Sequence, residues 1–236
     1  MSPPFAATVG PSAYWYLTRS TGTMALILLT VSVVLGVIDV QRYTTPRMPR
    51  FVVDGMHRTV SLLAVAFLVV HIVTSALDSF ASIPLIDAVV PFVGSYRPLW
   101  LGLGAASFDL MLAVVITSLV RRRLGYQAWR FTHWLAYISW PLALLHGLGT
   151  GSDVKASWMI AISGGCLVAV LFAVCMRAAS GWPGQVGVRT TALGLAICFA
   201  GGVALWLPSG PLGSGWARRS GTPSSLLRPA SSTRTP

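Results

Sequence analysis

A chain of 236 residues that is 54% hydrophobic, 10% charged and free of glutamate, with a mean hydropathy of +0.71, does not belong to the soluble globular class. Its net charge of +11 would suit nucleic acid, but the arginines stand between apolar runs, the pattern of membrane topology rather than of a nucleic-acid partner. Cys166, Cys175 and Cys198 fall inside apolar runs with no CxxC spacing, and read as small buried residues rather than metal ligands or disulfides.

Residues 1–13 form a short proline-containing tail with no basic residue. The first expected span is 14–38, with Arg19 about a turn and a half inside it; no basic region or cleavage site marks it as a removable signal. Pro46 and Pro49 keep the first loop non-helical, and Arg42, Arg47 and Arg50 make it basic. The second span is 57–77. Residues 78–97 are apolar but too short to cross a bilayer, which predicts a segment lying on the membrane surface over whatever the bundle holds there. The third span, 98–120, carries Asp109, read either as a functional carboxyl or as a helix–helix hydrogen bond. Arg121, Arg122 and Arg123 end it, and Trp129 and Arg130 follow. The fourth span, 131–149, contains Trp134, Tyr137, Trp140 and an internal Pro141, which predicts a kinked helix. Two glycine-rich stretches, Gly102-Leu103-Gly104 and Gly147–Gly151, follow no strand and are not phosphate loops. A fifth span is expected at 156–178 and a sixth at 190–207. The Ser-, Pro- and Arg-rich tail 208–236 is expected to be disordered.

All four histidines fall in two of these spans: His57 and His71 with thirteen residues between them, His133 and His146 with twelve. Fourteen helical steps carry His71 roughly 21 Å beyond His57 and within about 40° of the same face. Thirteen steps leave His146 about 140° away from His133 on an ideal helix, which the kink near Pro141 must repair. A single histidine in an apolar run is usually a hydrogen-bonded interior residue. Two matched pairs at two depths point instead to imidazoles binding two haem irons. On that reading His57 pairs with His133 and His71 with His146. Arg58 then reads as a partner for a haem propionate or as a topology determinant, and both can hold. Arg19 either meets a propionate or snorkels to the headgroups. Arg130 is a further candidate contact. Trp140, at mid-span, packs in the bundle or lies between the haems.

Lysine and arginine counts put the first, third and fifth loops in the cytoplasm and both termini outside, in a multi-pass protein of the cell membrane. Arg218 and Arg219 run against that bias.

The His-x13-His and His-x12-His pattern, on two spans separated by one other, resembles the ferric reductase-like transmembrane domain of ferric reductases, NADPH oxidases and the membrane subunit of the periplasmic methionine sulfoxide reductase system. The resemblance covers roughly residues 14–178, with 188–207 an additional helix. It implies an all-α, six-helix, cytochrome b-like membrane bundle with two b-type haems that relays single electrons across the bilayer. In its flavin- and nicotinamide-bearing members a soluble module follows the bundle, whereas here a further apolar run and the tail follow residue 178. The chain is therefore expected to be an oxidoreductase component that is not autonomous, with a cytoplasmic flavoprotein or quinol as donor and ferric iron or another external redox partner as acceptor. The competing readings are a metal-ion or proton transporter using intramembrane histidines, and a quinol-oxidising cytochrome b subunit of a soluble enzyme.

Overall fold

The computed structural model describes residues 12–41, 49–180 and 184–227. The expectations for residues 1–11, for Arg42 and Arg47, and for 228–236 fall outside them. The described residues are helical, with no strand among them. In chain order they form α1 (Ala13–Val40), α2 (Arg50–Leu77), a 3₁₀ turn at Leu85–Ala88, α3 (Pro98–Leu119), α4 (Arg121–Leu124), α5 (Tyr126–His133), α6 (Leu135–Thr150), α7 (Ser157–Ala179), α8 (Val186–Ser209), α9 (Trp216–Arg219) and α10 (Ser224–Leu227). Five of these, α1, α2, α3, α7 and α8, are long and apolar enough to cross a membrane, and the protein is a multi-pass membrane protein.

Two helical hairpins organise the bundle: α1 packs along α2, and α3 along α6. Small polar residues join the helices, as expected where lipid offers no hydrophobic drive for association. Ser12 accepts from the Trp15 amide at the start of α1 and donates to Asp78 at the end of α2, 2.9 Å away. Thr18 meets Thr74 at 3.0 Å, and Ser32 meets Ser61 at 2.7 Å. Between α3 and α6, Ser107 donates to the Ser139 carbonyl at 2.8 Å while Ser139 donates to the Ser107 carbonyl at 3.0 Å. That is the cross-helix role expected of Asp109, which has no hydrogen-bond partner among the described residues.

The fourth span differs from the expectation of one kinked helix. It is broken into α5 and α6 at Trp134, about two turns before Pro141, and Pro141 lies within α6. The cause still traces to the proline. It has no amide to give the Tyr137 carbonyl, and its ring crowds that carbonyl. The preceding turn tightens: the Trp134 amide reaches Phe131 O and the Tyr137 amide reaches Trp134 O, both three residues back. Each 3₁₀ step turns about 20° further than an α step, the sense needed to bring His133 and His146 towards one face.

Two other expectations are corrected. Residues 210–227 are not structureless: α9 and α10 form there, and Trp216 packs against Trp100 and Trp206, with ring centres 5.2 and 5.6 Å away. Apolar burial of one tryptophan outweighs a composition typical of disorder. Of the cysteines, only Cys166 is buried; Cys175 and Cys198 are exposed on the apolar helices α7 and α8.

Candidate functional site

The histidines of α2 face those of α5 and α6 across a gap. α2 packs chiefly on α1, and the histidine-bearing helices face each other ring to ring rather than through close backbone packing. The ring centres of His57 and His133 are 6.3 Å apart, inclined at 71°. Those of His71 and His146 are 6.2 Å apart, inclined at 81°. Both couples are the ones expected from sequence, and α2 runs unbroken between its two histidines.

Three of the four rings are anchored in the same way. His71 Nδ1 donates to the Thr18 carbonyl at 2.8 Å, His57 Nδ1 to the Ser32 carbonyl at 3.0 Å, and His146 Nδ1 to the Trp100 carbonyl at 2.9 Å. A carbonyl only accepts, so each of these rings carries its proton on Nδ1 and leaves Nε2 as the free lone pair. No Nε2 has a hydrogen-bond partner among the described residues.

The glycines explain why those carbonyls are reachable. The acceptors at 18, 32 and 100 are each followed four residues later by a glycine: Gly22, Gly36 and Gly104. A helical carbonyl points at residue i+4, so a side chain there would cover its second lone pair. A Cβ on Gly22 would meet His71 Cε1 at 2.9 Å, one on Gly36 would meet His57 Cε1 at 3.3 Å, and one on Gly104 would overlap the His146 ring. The uncovered-carbonyl pattern is visible in the sequence only once the partner helix is known, and sequence reasoning missed it.

His133 is the exception. Its Nδ1 is buried and has no hydrogen-bond partner among the described residues. The ring lies instead against Trp129, centres 5.1 Å apart at 31°, and Trp129 donates its Nε1–H to Ser118 Oγ at 3.3 Å.

A cavity of about 270 Å³ opens at the His71–His146 end, lined by both rings and roofed by Phe80, Pro84 and Leu85 of the 78–97 segment. Arg19 lines it too. Its Nε pairs with Asp153 Oδ2 at 2.5 Å, its terminal nitrogens donate to Ser152, and its guanidinium lies 4.0 Å from the Trp15 ring centre. Arg58 and Arg130 are exposed and carry no hydrogen bond among the described residues. Trp140 is only 4% exposed and does not line the cavity; it donates to Thr30 Oγ1 at 2.9 Å within the core made with Leu26, Leu144 and Cys166.

Sequence reasoning also missed Arg97, which is 6% exposed. It donates to the Gly149 and Thr150 carbonyls at 2.9 and 3.1 Å and to Thr222 Oγ1 at 2.9 Å, while its amide donates to the Gly221 carbonyl at 3.0 Å. Burial lowers its pKa from the usual arginine value, opposed by Tyr96. This one side chain ties the start of α3, three residues before Trp100, to the end of α6, just past His146, and to the C-terminal segment.

Neither curated proteins nor solved structures gave a match to this chain. A family model did: the ferric reductase like transmembrane component matches residues 21–144, more than half of the chain. The match includes His57, His71 and His133 and stops just short of His146. On that ground the protein belongs to the ferric reductase like transmembrane component family.

Proposed function

We propose that the protein is a membrane cytochrome that binds two b-type haems, one between His57 and His133 and one between His71 and His146, and passes single electrons from one face of the bilayer to the other. The observation that carries this reading is the ring separation. Two metal–imidazole bonds of about 2 Å each, plus a centre-to-nitrogen distance of about 1.1 Å in each ring, span roughly 6.2 Å end to end. The centres stand 6.3 and 6.2 Å apart, with Nδ1 tied back in three rings and Nε2 left free. Each couple offers two nitrogens, too few for a bare zinc-like ion that takes four ligands. A haem would ask only two imidazoles of the chain at each station, which favours haem over the transporter reading.

A bound haem supplies a reversible one-electron couple inside a medium that otherwise excludes charge. The chain's own residues do the rest. The carbonyls of residues 18, 32 and 100 hold three imidazoles in one tautomer and raise their donor strength. Arg19, neutralised by Asp153, is poised at the His71–His146 end, where a propionate would compete for it. The arginine bias directs the His57–His133 end to the cytoplasm, where a flavoprotein or quinol delivers electrons, and the His71–His146 end to the outer face, where ferric iron or another redox partner receives them. With the α5–α6 stretch, the bundle then crosses the membrane six times.

Reduced-minus-oxidised absorbance spectra with a haem-to-protein ratio test the proposal. Two low-spin b-type haems per chain are expected in the wild type, and one in His71→Ala. A chain purified from haem-replete membranes without haem, or a His71→Ala variant that keeps both, ends it.

A further inference from the structure

The two helices that back the histidines carry a repeat, and the repeat fails once. On α1 the acceptor–glycine couples are Thr18/Gly22 and Ser32/Gly36, fourteen residues apart. On α3 the first couple is Trp100/Gly104. Fourteen residues further along α3 stand Val114 and Ser118, so the position that should uncover the Val114 carbonyl bears a side chain. That side chain accepts from Trp129, and Trp129 lies on the His133 ring. The imidazole at this station is the one whose buried Nδ1 lacks a partner. Two independent facts, the missing glycine and the orphaned nitrogen, mark the same place.

We infer that His133 is the weakly held ligand of the four, because Ser118 closes off the carbonyl its Nδ1 needs, and that the His57–His133 haem is consequently the higher-potential one and the one at which a small neutral ligand such as carbon monoxide displaces imidazole. The inference rests on the two-haem reading. An Nδ1–H···O=C bond gives imidazole partial imidazolate character, which strengthens its bond to iron and favours the ferric state. Without it, the bond is weaker and the ferrous state is relatively favoured. The affinity penalty for losing such an outer partner is typically tenfold or more. His133 also ends α5, so the break at Trp134 separates its backbone from α6.

Carbon monoxide difference spectra of the dithionite-reduced full-length protein, with a redox titration resolving both haems, test this. In the wild type, half of the haem is expected to bind carbon monoxide. Ser118→Gly uncovers the Val114 carbonyl, so carbon monoxide affinity should fall roughly tenfold and the upper of the two potentials should drop, with the lower unchanged. Ser118→Ala keeps the Cβ and loses only the Trp129 hydrogen bond, so it should behave as the wild type. It also separates the carbonyl effect from any disturbance of Trp129. Two haems that both resist carbon monoxide, potentials in Ser118→Gly that match the wild type, or both potentials moving together, would overturn the inference while leaving the two-haem reading intact. A wild-type chain with fewer than two haems removes that reading and this inference with it.

Discussion

The His71–His146 end and the His57–His133 end use the same two-ring plan but hold it differently. At the first, both rings donate to helix carbonyls and an ion pair lies at the cavity. Beyond it, Arg97 and Trp216 brace the ends of α3 and α6. At the second, one ring is anchored and the other is stacked on a tryptophan beside a helix break, under the exposed arginines 121–123 and 130. A ligand pair on two continuous, cross-braced helices is pre-organised, whereas one on a broken helix retains freedom. Spacing along the helices brings the imidazoles together, while carbonyl access sets how firmly each is held.

The largest effect should come from the ligands themselves. His146→Ala is expected to remove one haem of two and leave the His57–His133 spectrum in place, measured as a halved pyridine haemochromogen yield per chain. Next come the cradles, which compare the ends directly. Gly104→Ala drives a methyl into the His146 ring and should lose most of the haem at that end, whereas Gly36→Ala, with 3.3 Å to His57, needs only a small shift and should keep its haem. Equal losses from both would break the link between cradle space and occupancy.

A middle-sized effect is expected from the brace. Arg97→Gln removes part of a buried network that satisfies two α6 carbonyls, with a cost of about 2–3 kcal/mol in stability, read by detergent thermal denaturation. It should broaden the ferric spin-resonance signal of the His71–His146 haem before it affects the other. Smaller still is Asp153→Asn, which frees Arg19 and should cost about 1 kcal/mol or less, with haem content unchanged. Trp140→Phe loses one hydrogen bond to Thr30, about 1 kcal/mol. Electron transfer between the haems slowed tenfold or more in that variant would give Trp140 a role in the path that its packing towards α1 does not suggest.

Hydropathy and residue spacing already carried the membrane class, the helix-rich architecture and the facing of His57 with His133 and of His71 with His146. Those depend on hydropathy and on separation along a helix, and both are local properties. Pro141 likewise announced a distortion, though not that the break would fall at Trp134, because a proline disturbs the turn before it and neighbouring packing chooses where that turn yields. The support of the rings, by contrast, depends on how the helices pack. Thr18, Ser32 and Trp100 act through their backbone carbonyls, which every residue possesses, so no side-chain pattern marks them. Arg97 and Trp216 matter because α8 brings the C-terminal segment back over the end of α6, a contact between residues far apart in the chain. Ser118 is an unremarkable serine in an apolar run until α5 folds Trp129 and His133 against it.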